Sequence, residues 1–146
     1  MARTEPVSGH VTTSVLISIL AGLASGAIYG GILGSFISQP YLIAVIAALL
    51  AVMTATVLRY FFFKASGSPP PGGVPLIDVL IVNASIASVF GGLAAHAILL
   101  EAAPELEVRP VVTGAAAGLC GGILMALLMI VYYNARAEGA SHPQRG

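Results

Sequence analysis

Apolar residues along this chain gather into four long runs, at about 11–37, 41–63, 74–100 and 108–133, divided by short polar stretches. Each run exceeds the roughly 20 residues that an α-helix needs to cross a hydrocarbon core about 30 Å thick. Their interiors lack Lys, Arg, Asp and Glu, save Arg59 and Asp78, each near one end of its run. A charge at mid-bilayer costs at least ~2.5–3.5 kcal/mol, so this absence is itself a spanning signal. A β-barrel would show alternation over strands of roughly 9–11 residues, and these runs show none. The pattern therefore predicts an all-α membrane protein with four transmembrane helices arranged as two hairpins. The first run, at about 25 residues, is longer than the roughly 7–15 of a signal-peptide core. It ends in Ser38-Gln39-Pro40 without a small-x-small cleavage pattern, so a retained span is expected.

The polar breaks divide the chain further. Residues 1–10 form an N-terminal tail, 11–65 a first hairpin, 66–75 a Pro/Gly-rich loop, 76–135 a second hairpin and 136–146 a C-terminal tail. Three consecutive prolines, Pro69-Pro70-Pro71, favour an extended spacer between the hairpins. The halves also echo one another. Ile28-Tyr29-Gly30-Gly31-Ile32 resembles Val89-Phe90-Gly91-Gly92-Leu93, and Gln39-Pro40 opens the second span as Arg109-Pro110 opens the fourth. A duplicated hairpin, with a pseudo-two-fold axis along the membrane normal, would produce these echoes.

Within the apolar runs, small residues keep a second rhythm. Ser18, Gly22, Gly26, Gly30, Gly34 and Ser38 fall at four-residue spacing in the first span. Gly114, Gly118, Gly122 and Ala126 repeat it in the fourth, the third span carries Gly91 and Gly92, and the second offers Ala47, Ala51 and Ala55. Lipid tails are as apolar as leucine, so helices associate in a bilayer by close backbone approach, which small residues at i and i+4 allow. Such a glycine zipper marks Ser18, Gly22, Gly26, Gly30, Gly34, Gly91, Gly92, Gly114, Gly118 and Gly122 as helix-packing positions. Each step of four drifts about 40° around a helix, so six small residues wind about 200°. That winding predicts two neighbours for the first span, one near Ser18–Gly26 and one near Gly30–Ser38, and places it centrally in a bundle or at an oligomer interface.

Composition narrows the function more than it names it. Of 146 residues, 58% are hydrophobic and 8% charged, and six basic residues balance six acidic ones, so no basic patch points to nucleic acid. Cys120 is the single cysteine, which excludes an internal disulfide, a CxxC redox pair and a multi-cysteine metal site. Five of the six basic residues, Arg3, Arg59, Lys64, Arg136 and Arg145, fall on the side shared by both termini and the central loop. Arg109 alone falls opposite, beside Glu101, Glu105 and Glu107. Basic flanks stay inside, so both termini are expected in the cytoplasm, in a bacterial inner membrane. The clusters Tyr60-Phe61-Phe62-Phe63 and Tyr132-Tyr133 suit that same interface.

Intramembrane polar residues are where function is sought first. Asp78, Asn83, Ser85 and His96 lie in the third span and form a candidate polar path. Asp78, Ser85 and His96 share one face, within about 20°, but Asp78 and His96 are about 27 Å apart along the axis. His96 also suits an interfacial role near the acidic outer loop, Asn83 an interhelical bond, and Ser85 and Ser88 bonds back to their own helix. No span holds the mid-membrane carboxylate of a proton-driven rotor or drug antiporter, and His10 and His142 lie in the tails, away from a haem-type pairing. No nucleophile–base pair appears, so neither an enzyme nor a cofactor is expected.

Leu58-Arg59-Tyr60, Pro75-Leu76, Val82-Asn83 with Ser88, Thr113-Gly114 and Gly118-Leu119-Cys120-Gly121-Gly122 together resemble the small fluoride channels called CrcB or Fluc. The resemblance covers residues 58–122 and implies a pore lined by Asn83. Where that family carries Thr-Thr-Phe-Ser-Thr-Phe, this chain has Ile123-Leu124-Met125-Ala126-Leu127-Leu128, without the pore phenylalanine and the central cation site. An extra span precedes the matching segment. Two functions are thus expected. One is a non-enzymatic accessory, assembly or scaffold component that grips itself, as a homo-oligomer, or a larger membrane complex. The alternative is a small oligomeric channel or carrier for a small ion or solute.

Overall fold

The computed structural model describes residues 5–67 and 76–141, with the side chains of 5–11, 14, 63, 76–84, 107, 129 and 132–141 outside the description. The chain is an all-α integral membrane protein of four long helices. They are α1 (Glu5–Leu33), α2 (Pro40–Ser66), α3 (Leu76–Ala102) and α5 (Pro110–Ser141), with a short α4 (Pro104–Glu107) between the last two. Each long helix contains a stretch apolar and long enough to cross a membrane. α1 and α5 extend past their apolar runs into polar sequence, α5 continuing through Asn134 to Ser141.

The helix ends follow local chemistry. Pro40 and Pro110 open α2 and α5, where the missing N–H is one the first turn leaves unbonded anyway. Gly67 closes α2 with φ 70°, a left-handed conformation that only glycine adopts at no cost, and its N–H reaches the Lys64 carbonyl. Lys64 also sits in the last turn, where its charge suits the helix dipole. α4 was not expected: Pro104 starts one helical turn in a stretch that reads as a plain acidic loop. The proline-rich segment 68–75 lies outside the described residues.

Among the described residues, α1 packs on α5 and α2, α3 packs on α2 and α5, and α2 packs on α5. The central pair is therefore α2 and α5, and α1 and α3 flank it. This corrects the central place expected for the first span. Positions 41–56 of α2 show the same order of buried, half-buried and exposed residues as positions 111–126 of α5. On the flanks, Gly30 abuts α5 at Gly114, and Gly92 abuts α2 at Ala44 and Val45. In the packing, then, Gly92 is the counterpart of Gly30. The aligned dipeptides pair Gly91 with Gly30, one residue out of that register.

Side-chain volume, rather than polarity, distinguishes the faces. Ala44, Ala47, Ala48, Ala51, Ala55, Ala87 and Ala117 are fully buried, while Leu20, Ile28, Phe36, Phe90 and Val131 are exposed. Two small apolar clusters form the interior. Val52, Ala55, Ala87 and Met125 make one, and Ala44, Ala47, Ala48, Ala95 and Ala117 make the other.

The glycine interface and the candidate polar path

The α1–α5 contact is built from backbone. A Cβ placed on Gly26 would lie 2.8 Å from the Gly118 Cα and closer still to the Gly114 carbonyl oxygen. One on Gly30 would meet Gly114 and the Pro110 carbonyl, one on Gly22 would meet Gly118 and Gly122, and one on Gly34 would meet the Pro110 ring. Gly122 in turn abuts the backbone of Ser18, which is itself fully buried. Ser38 lies beyond the end of α1 and is exposed.

All of these glycines of α1 face one helix, whereas straight axes predict a division between two. A neighbour crossing at about −40°, the right-handed angle of small-xxx-small pairs, follows a stripe that drifts around its partner. The contacts of Gly22, Gly26, Gly30 and Gly34 with α5 run along the whole winding stripe. The contact of α1 with α2 is of another kind. The Tyr29 hydroxyl lies 2.7 Å from Thr54 Oγ1, and Thr54 donates to the Leu50 carbonyl at 2.8 Å, so Tyr29 is the donor of the pair. On the other flank, a Cβ on Gly91 would lie 2.8 Å from the Gly121 nitrogen, and one on Gly92 would lie 2.7 Å from the Val45 Cα.

Hydroxyls in the interior are turned back on their own helices, as residues of this kind are in apolar surroundings. Ser25 donates to the Ala21 carbonyl, and Ser88 donates to the Ser85 carbonyl at 3.1 Å. Thr56 donates to the Val52 carbonyl at 2.8 Å, with the Met125 sulfur 3.1 Å from the same oxygen.

The four residues of the candidate polar path are placed differently. Ser85 is exposed on α3, and His96 is half-buried at the far end of that helix. The His96 ring meets Tyr41 of α2 edge-on, with centroids 6.2 Å apart. The side chains of Asp78 and Asn83 lie outside the described residues. Cys120 is free and half-buried, packed against the alanine cluster. Among the described residues, no three of His, Cys, Asp and Glu gather as a metal would require.

Its place in the sequence set Arg59 at the edge of its span, yet Arg59 is 1% exposed and is the largest fully buried side chain among the described residues. Its three guanidinium nitrogens are all enclosed. The available signal was its place, one turn after Ala55 and Thr56 on the face that α2 turns inward. No protein-family model, characterised protein or solved structure matches this chain.

Proposed function

We propose that the chain is a non-enzymatic accessory, assembly or scaffold component, working as a homo-oligomer or within a larger complex of the bacterial inner membrane. Both termini lie in the cytoplasm in this reading, because five of the six basic residues flank that side. The observation that carries the proposal is how the bundle spends its volume. Most facing positions on the helices hold glycine and alanine, so much of the centre is filled by backbone and methyl groups, with Val52, Met125 and Arg59 as the larger enclosed side chains. Large side chains such as Leu20, Ile28, Phe90 and Val131 point outward, where lipid or a neighbouring protein meets them. The glycine-zipper stripe is then a device for holding four helices in one rigid unit that presents this outer surface.

The test is gentle purification from the native membrane. A stoichiometric partner, or a defined homo-oligomer, supports the reading; a lone monomer at every detergent concentration counts against it. Reporters that fluoresce only in the cytoplasm, fused to either end, check the orientation, and a dark fusion at either end overturns it.

A second reading, a small oligomeric channel or carrier, draws on Arg59. This cation is enclosed within the segment that resembles the fluoride channels. Flux of fluoride, other halides or protons through reconstituted liposomes favours that reading, and tight, silent vesicles exclude it.

A further inference from the structure

The contact between α2 and α3 has a readable register. Tyr41 lies against His96, and Val45 lies against Gly92. Four residues forward along α2 are thus matched by four residues back along α3. Continuing by fourteen residues, about 21 Å at 1.5 Å per residue, leads from Val45 to Arg59 and from Gly92 to Asp78. Fourteen residues are close to four full turns, so each position returns to within about 40° of the contacting face. We infer that Asp78 is the counter-charge of Arg59, the two forming an ion pair between α2 and α3 that clasps the first hairpin to the second at the end of the bundle where both termini lie.

No other carboxylate fits that level. Glu101, Glu105 and Glu107 belong to the opposite end of the bundle. α5 runs alongside α2 with Met125 beside Thr56. Glu138 therefore falls about ten residues beyond the level of Arg59, roughly 15 Å. α1 runs against α2 with Tyr29 beside Thr54, so Glu5 falls about 19 residues beyond, further still. The third residue of α3 also suits a carboxylate on its own account, because a helix N-terminus favours negative charge. The clasp is one-sided: the position of α5 matching Arg59 in the repeated pattern is Met129, and that of α1 matching Asp78 is Leu16.

The decisive experiment uses the full chain in its native membrane, extracted in mild detergent. The fraction left monodisperse after heating is compared for Arg59→Met, Asp78→Leu, the two together, and the exchange Arg59→Asp with Asp78→Arg. Removing one partner of a buried pair strands the other charge, whereas removing both leaves a tolerable apolar contact. Each single variant should therefore lower the recovered fraction by at least about tenfold, and the apolar double variant should return to within about threefold of the parent. Glu138→Gln and Glu5→Gln should change nothing. The inference is overturned if the apolar double variant and the exchange are both as poor as Arg59→Met alone. It is equally overturned if Asp78→Leu is harmless, or if Glu138→Gln or Glu5→Gln reproduces the loss.

Discussion

At the scale of single residues, glycine here is a matter of interhelical distance rather than of backbone freedom. Gly26 is helical and needs no unusual φ, but its missing Cβ is where α5 passes. Gly31, one position from Gly30 in the same helix, has only the Val111 side chain near it, at 3.2 Å. Gly26→Ala should cost about 1–3 kcal/mol by forcing the backbones apart, while Gly31→Ala should be close to neutral. Reversible unfolding in mixed micelles measures both, and equal effects would contradict the interface described. The glycine spacing was legible because a four-residue rhythm needs no neighbour to be seen. Arg59 was not, because burial of a charge at a span's end depends on which helix covers it, and local sequence does not contain that.

At the scale of helices, the proline openings set where α2 and α5 begin, while α1 and α5 overran their apolar runs into polar sequence and the packing partners were not legible. Four spans and two tight hairpins come from hydropathy and loop length. The pairing of α1 with α5 depends on which neighbour runs along the winding glycine stripe, which the wheel projection of an isolated helix leaves out. The central α2–α5 pair is equally hidden, since alanines at 44, 47, 48, 51 and 55 look like ordinary apolar filler until their burial is known. Among the described residues of α5, Met125 is the one large apolar side chain that is fully enclosed, wedged against Val52, Ala55 and Ala87. Met125→Ala should therefore open a cavity at the junction of α2, α3 and α5 and cost about 2–5 kcal/mol. A substitution at exposed Leu127 is the control, and the comparison is made by the same micelle unfolding.

At the scale of the whole molecule, the hairpins interlock. α1 belongs to the first hairpin but lays its glycines on α5 of the second, and α3 of the second lays Gly92 on α2 of the first. Neither hairpin completes its own packing. Severing the chain between 67 and 76 should therefore give two fragments that are each degraded when made alone. Produced together, they should co-purify, as a pull-down through a tag on either fragment reads out. Stable single fragments would mean that each hairpin is self-sufficient. The alanine and glycine seam carries one more consequence. Neither residue has side-chain rotamers to lose on ordering, so docking the helices there costs almost no side-chain conformational entropy. A seam without rotamers also has no alternative packings to explore. It loosens by whole helices parting, not by side chains rearranging, and a bundle so built behaves as stiff rods that are either seated or apart.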